Sequence, residues 1–300
     1  MFKNLSIYRI VPEWNADLTQ ALSEAAKQVF VECGKTQAKS VGWTPPRQEQ
    51  GALIESVGGQ WIMKMMIETK SVPGSMVRKT ADERAKEIEE QTGRRPKGKA
   101  LKQLKEEITH ELMPQAFPKQ ETITVWVDPK KRLVAVDAGS VKKGDEVGTL
   151  MAETFSGFGV QLVQTNLSAA TSMSGWLRER EAPAGFSIDR DCHLKSTDEG
   201  KSAITYAKHG LDNEEVRHHL EQGKVATKLA MTWDDKVSFM LTDTMQLKKL
   251  NFENVKFEKA KEGEDGFDAN AAIATGELAK MIPDLLDALG GEMVAAGAEA

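Results

Sequence analysis

Three hundred residues with 40% apolar content can bury a sizeable core, as one large domain or two moderate ones. A net charge of −5 and an isoelectric point near 5.7 exclude a uniformly basic nucleic-acid binder. No run approaches the roughly 18 apolar residues of a membrane span, so a soluble, cytoplasmic protein without a membrane partner is expected.

The charge is unevenly placed. Residues 258–300 hold ten acidic side chains against three lysines, a balance of −7, which leaves the other 257 residues at +2 of the chain's −5. Such a chain can hold an anion on one face and repel it elsewhere. Cys33 and Cys192 are the only cysteines. With no CxxC spacing and no apolar leader they are expected as reduced thiols.

Taken in order, residues 2–11 alternate as a strand does. Asn15 is expected to cap a helix with Leu18, Ala21, Leu22, Ala25, Ala26, Val29 and Phe30 on one face, closed by Gly34. Gly42-Trp43-Thr44-Pro45-Pro46 reads as a rigid turn carrying an aromatic, and strands follow at 53–55 and 61–69. Thr80 precedes Glu83 by three residues, the capping-box spacing, so a helix is expected from there to about Gln91, with Gly93 as its left-handed stop. A second helix carries Leu101, Leu104, Ile108 and Leu112 on one face until Pro114, with an exposed Phe117 beyond. The pair reads as a helical hairpin with a cationic turn, projecting from the body.

Residues 122–128 and 132–138 form a β-hairpin turning at Pro129-Lys130-Lys131. Residues 141–155 are helical, with Val147, Leu150, Met151 and Thr154 inward, and 160–163 is a short strand. In the second half, 203–208 is a strand, and Asp212 with Glu215 opens a helix ending at Gly223. A strand over 225–233 then turns at Asp234-Asp235 into 237–242. The Trp126 and Trp233 strands each lead through an acidic turn into an apolar strand. That likeness is compatible with an internal duplication or with two unrelated hairpins. The last helix carries Leu278, Met281, Ile282, Leu285, Leu286 and Leu289, stops at Gly290-Gly291, and should be kinked or split by Pro283. The fold class is therefore α+β, with antiparallel sheets and flanking helices. Residues 1–75 begin the body, 76–117 form the hairpin, 118–165 return to the body, and 166–300 make a second lobe with an acidic C-terminal helix.

Gly93-Arg94-Arg95-Pro96-Lys97-Gly98-Lys99-Ala100 nearly matches the Walker A pattern. Pro96 removes an N–H, Ala100 lacks the magnesium-binding hydroxyl, and a charged helix precedes it where a strand is required. It reads as a basic helix–helix turn, with nucleotide hydrolysis kept as a weak alternative. His110, His193, His209, His218 and His219 show no metal-ligand spacing, and no nucleophile elbow or dinucleotide fingerprint is present. Neither an enzyme nor a cofactor nor a metal is expected. What stands out is sign purity. Arg94, Arg95, Lys97, Lys99, Lys102 and Lys105 occur with no acidic residue from 94 to 105. Cations placed on phosphates release counterions and give affinity without sequence readout. Lys119, Lys130, Lys131 and Arg132 are expected to extend the same face.

Several motifs in order resemble the recombination-associated RdgC family. They are Phe2-Lys3-Asn4-Leu5 with Tyr8-Arg9, Gly42-Trp43-x-Pro45-Pro46, and Leu112-Met113-Pro114-Gln115-Ala116-Phe117. Gly223-Lys224-Val225-x-Thr227-Lys228-Leu229-Ala230, Leu247-Lys248-x-Leu250 and Thr275-Gly276-Glu277-Leu278 follow, so the likeness runs to about residue 292. The resemblance implies a non-enzymatic, cytoplasmic, nucleoid-associated protein. It would form a ring-shaped homodimer around double-stranded DNA, with single strands as a further partner, and would restrain the recombinase RecA. It places Phe117 at the dimer gate. Arg94, Arg95, Lys97, Lys99, Lys102, Lys208, His209 and Lys228 become the candidate DNA contacts. Gln115 stands where some relatives carry a base, and His209 is a weaker cation than lysine; both weaken the grip. A protein-interaction adaptor, docking an acidic partner on the same hairpin, is the alternative.

Overall fold

The apolar alternation near the N-terminus becomes strand β1, Asn4–Ile10, in the computed structural model, which describes residues 2–47, 51–198, 200–253, 255, 257 and 266–293. The acidic residues Glu258, Glu262, Glu264, Asp265 and Glu299 lie outside the described residues. After β1 come α1 (Leu18–Ala25), β2 (Lys39–Thr44), β3 (Ile54–Val57), β4 (Gln60–Lys70), α2 (Gly74–Thr92), α3 (Lys99–Leu112), β5 (Pro118–Asp128), β6 (Leu133–Val136), α4 (Val141–Thr154) and β7 (Val160–Leu162). The second half supplies α5 (Ala169–Glu179), β8 (Phe186–Ser196), β9 (Ala203–Tyr206), α6 (Glu214–Glu221), β10 (Lys224–Trp233), β11 (Val237–Thr242), β12 (Leu247–Phe252) and α7 (Phe267–Ala288). This is an α+β fold built on one large antiparallel sheet.

The strand order is β2-β4-β5-β6-β1-β12-β11-β10-β8-β9, with β3 on β4 and β7 on β1. β1 pairs with β6 through Ser6 to Arg9 along one edge. Its other edge is shared: Asn4 and Leu5 meet β12, and Tyr8 to Ile10 meet β7. Successive side chains of a strand point to opposite faces, so β1 feeds two cores. Leu5 and Ile7 join the core that holds Trp126, Trp233 and the inner stripe of α7. Tyr8 and Ile10 join the core of Trp14, Trp43, Met63, Met65, Val147 and Met151. β6 is buried on both faces for the same reason, hence its unbroken Leu133-Val134-Ala135-Val136.

Several local expectations shift. α1 is capped by Asp17, whose carboxylate accepts the Gln20 N–H at 2.8 Å, not by Asn15. It ends near Ala25, well short of Phe30, because Val29 bridges to Trp43 and the Phe30 N–H donates to the Trp43 carbonyl. Gly34 therefore stops no helix. Gly42-Trp43 is strand β2, not a turn, and Trp43 is fully buried with its indole N–H on Thr154 Oγ1 at 2.8 Å. Gly42 serves close approach, since a Cβ there would lie 2.5 Å from Phe30 Cα. α2 begins at Gly74 after Pro73, so Thr80 is mid-helix and its spacing to Glu83 is incidental. α6 is capped by Asn213, accepting from the Val216 N–H, not by Asp212.

α7 runs unsplit through Pro283. A proline deprives the carbonyl four residues back of its donor. That carbonyl belongs to Ala279, and Lys131 Nζ donates to it at 2.7 Å. α5 and β8 fell in a stretch with no sequence expectation. Both cysteines are free and buried, and burial pushes the Cys192 thiol up to about 12.

Glu68 on β4 is 1% exposed. Its carboxylate accepts from Gln120 Nε2 at 2.7 Å and from the Cys33 N–H at 2.8 Å, and these bonds, the Gln120 amide foremost, hold its pKa below the ordinary value. A folded-state carboxyl more acidic than the unfolded one stabilises above the ordinary range, and loses that contribution as pH falls through the lowered value. Glu68→Gln is thus expected to lower the melting temperature at pH 7, with the gap closing well below about pH 4.3. A gap that persists in acid would contradict the charge origin. Gly42→Ala should destabilise by about 2–3 kcal/mol through backbone overlap. Gly139→Ala, at an exposed site with nothing within 4 Å, should stay within about 0.5 kcal/mol. Denaturant titration of the pair checks this.

Candidate nucleic-acid interface

β4 and β5 pair along their full length, to Lys70 opposite Pro118, and the chain between them is the α2–α3 helix pair. The two helices hold a small core of their own: Val77, Ala81, Ala85, Leu104 and Ile108, flanked by Ile88, Leu101 and Leu112. Two alanines at the contact, both essentially buried, let the backbones approach closely. Arg84 grips Glu111 through both guanidinium nitrogens, which raises the arginine pKa and lowers the glutamate pKa, the hydrogen bond being the main cause in each.

The connector is set by two glycines. Gly93 closes α2 at φ 69° with its N–H on the Glu89 carbonyl. Gly98, at φ 55° and ψ −120°, opens α3 without a side-chain cap. The first turn of α3 holds no acidic residue, and Lys99 and Lys102 crowd it instead. A helix start presents free N–H groups and partial positive charge, so cations there reinforce a field that attracts anions. Arg94, Arg95, Pro96, Lys97 and Ala100 line an open depression of about 440 Å³ beside it, with Glu107 as its one acidic side chain. The cations differ in availability. Arg95 is engaged by Asp82 at 3.5 Å and Glu89 at 3.8 Å, and Lys102 by Glu106 at 3.8 Å. Arg94, Lys97 and Lys99 are exposed and form no ion pair among the described residues. A helix, α2, precedes the connector where a Walker loop needs a strand.

Lys208, His209 and Lys228 gather around β8, apart from the connector; β6, β1, β12 and β11 lie between β5 and β10 in the strand order. The Lys208 N–H donates to Asp191 Oδ1 at 2.6 Å, and the His209 N–H to the Arg190 carbonyl. His209 Nδ1 lies 2.7 Å from the Gly210 carbonyl, which makes it the protonated nitrogen. Lys228, exposed on β10, faces His193 across the ladder. This region is mixed in sign. Burial raises the Asp189 carboxyl above its ordinary range, with Glu253 and Asp191 adding repulsion against the Thr232 hydroxyl that donates to it. The expected extension through Lys130, Lys131 and Arg132 fails. They sit at the end of β5 remote from Lys119, about 34 Å along an eleven-residue strand. Lys131 and Arg132 are tied to the carbonyls of Ala279, Val11 and Trp14.

Phe117 is 92% exposed between the 3-10 turn Met113–Gln115 and β5. Among the described residues no group of three His, Cys, Asp or Glu side chains could hold a metal ion, and no helix is long and apolar enough to cross a membrane.

Residues 1–292 match the family model described as "Putative exonuclease, RdgC". The chain belongs to the RdgC family. It is 42% identical to the "Recombination-associated protein RdgC" of Dechloromonas aromatica (strain RCB) over 302 aligned residues, which take in 98% of this chain and 99% of the relative. It is 38% identical to the proteins of that name from Janthinobacterium sp. (strain Marseille) and Bordetella pertussis (strain Tohama I / ATCC BAA-589 / NCTC 13251), each over 97% of this chain and 98% of the relative. Within the family motifs, Gly42-Trp43 serves the core, whereas Met113 to Phe117 ends exposed. Two features went unread in the sequence: the uncapped start of α3 and the acidic neighbours of Lys208. The first was visible as the absence of Ser, Thr, Asp or Asn before Lys99.

Proposed function

We propose that this chain binds double-stranded DNA without sequence preference, as a ring-shaped homodimer that encircles the duplex and restrains RecA-dependent recombination. The observation that carries the binding is the connector, where Arg94, Lys97 and Lys99, in no ion pair among the described residues, surround an uncapped helix start. Phosphates satisfy both the cations and the free N–H groups, and neither contact reads a base. The recombination role rests on the family and on the printed names of its relatives.

The helix pair is read as a projecting hairpin, with Phe117 at its base as the gate. An almost fully exposed phenylalanine gains about 1.5–3 kcal/mol on burial, and a second copy offers the matching side chain. On this reading Lys208, His209 and Lys228 are secondary contacts, moderated by Asp189 and Asp191. The protein would act in the cytoplasm, on the nucleoid.

Duplex affinity should fall linearly on a double-logarithmic salt plot. Arg94→Ala should lower the slope by about one per protomer, while Arg95→Ala, already neutralised by Asp82 and Glu89, should change it less. A salt-independent affinity, or capture of an acidic protein with no duplex binding at low salt, would favour the adaptor reading. Phe117→Ala should shift sedimentation toward the monomer and leave the melting temperature in place. Unchanged sedimentation and unchanged DNA binding together would remove Phe117 from the gate.

A further inference from the structure

Arg95 lines the same depression as Arg94 and Lys97, and among the described residues it is the one of the three in an ion pair. Its guanidinium reaches back to α2, with Nη2 3.5 Å from Asp82 Oδ1 and Nη1 3.8 Å from Glu89 Oε2. Asp82 and Glu89 are seven positions apart, so they share one face of α2, about 10 Å from each other along its axis. One cation spans the two carboxylates. Neither carboxylate has another ion pair among the described residues, so the arrangement serves Arg95. All three side chains are exposed, and both contacts are longer than the roughly 2.7–2.9 Å of a tight charge-assisted hydrogen bond. Such pairs are weak and readily exchanged.

We infer that Asp82 and Glu89 withhold Arg95 from DNA, as an internal counterion pair that a duplex phosphate must displace. The inference rests on the DNA-binding reading and adds a regulating contact to that same site. Carboxylate and phosphate present a guanidinium with like pairs of acceptor oxygens, so the two anions compete for one cation. In the free protein Arg94, Arg95 and Lys97 lie within four positions and repel one another, and the carboxylates relieve that repulsion. A phosphate held by Arg94 and Lys97 relieves it equally well. Arg95 can then leave α2, and both freed carboxylates stay in water, so no burial penalty opposes the exchange. Glu107, the acidic side chain in the depression, takes a hydrogen bond from Gln103 at 3.4 Å instead.

The test is a double-mutant cycle on the full chain, with a short duplex as probe and salt as the variable. Asp82→Asn with Glu89→Gln should raise duplex affinity about two- to tenfold, since two exposed pairs no longer hold Arg95. The slope of log affinity against log salt should steepen by about one per protomer. In an Arg95→Ala background the same two substitutions should leave the slope in place and gain less than about twofold. Glu90→Gln removes an exposed carboxylate that is in no ion pair among the described residues, and so reports the general field. Its small gain should be the same with or without Arg95. Melting temperatures are followed throughout, and Asp82→Asn alone gives the same readout if the double substitution loses stability. A gain that survives Arg95→Ala undiminished overturns the inference, as does no gain at all. Either result leaves the DNA reading standing if wild type binds the duplex with a salt slope. No duplex binding by wild type at low salt is a failure of the DNA reading, and the inference falls with it.

Discussion

Everything in this fold hangs on seven residues whose two edges and two faces are all used. β1 holds β6 on one side and changes partner on the other, from β12 to β7, within its own length. The change of partner needs polar management, and the sequence supplies it. Ser6, fully buried, receives Gln246 Nε2 at 3.0 Å, and Asp137 receives the backbone N–H groups of Lys3 and Asn4. Burial pushes the Asp137 carboxyl up, and those two donors pull against it. A slip of one residue would exchange Leu5 and Ile7 for Tyr8 and Ile10 between the two cores. Register at β1 therefore fixes how the halves of the sheet sit on each other, and with them the places from which the helix pair and the β8 region emerge.

The same constraint explains why counting cations misleads in this chain. Many of its basic side chains are internal connectors. Arg9 leaves β1 to bind both oxygens of Glu292 beyond α7, and also the Lys131 carbonyl. Lys64 donates to the Pro46 carbonyl with its pKa lowered by burial, and Lys70 spans the carbonyls of Cys33 and Gly34. Lys131 replaces the donor that Pro283 lacks. Each of these charges donates to a backbone carbonyl. The connector cations are different in kind, since among the described residues no carbonyl or carboxylate claims Arg94, Lys97 or Lys99.

Legibility followed the strength of local signals. Gly93 and the Leu101, Leu104, Ile108, Leu112 stripe need nothing beyond a few neighbouring residues, and the end of α2 and the buried face of α3 were readable from them. Residues whose role is set by distant partners were not. Asn15 and Asp17 are both acceptable caps, and the choice depends on where the chain must go next, toward Trp43. Gly42 looked like a turn because its actual function, room for the Phe30 backbone, lies twelve residues away in sequence. β8 alternates Phe186, Cys192, Leu194 and Ser196 inward, yet Asp189, Arg190 and Asp191 interrupt the apolar pattern and a bulged pairing with β10 shifts its phase. Sign purity from 94 to 105 was visible at once, whereas the neutralisation of Arg95 by Asp82 required the fold.

The helix pair carries a conflict that bears on what it is for. Acidic side chains favour helix starts and basic ones helix ends, each by about 0.3–1 kcal/mol. α2 and α3 do the reverse where they meet, with Glu89 and Glu90 at the end of α2 and Lys99 and Lys102 at the start of α3. Arg95 relieves the first mismatch by bridging to Glu89. Glu106 engages Lys102, and among the described residues nothing engages Lys99. Against this the pair has a core of only five buried side chains, so its stability depends on β4 and β5 clamping both ends. An anion at Gly98 would remove the remaining mismatch and leave the strands and the core as they are. Stability of the pair and occupancy by an anion are then linked quantities, and Phe117, at the end of the same element, lies where any tightening of the helices is passed to the surface.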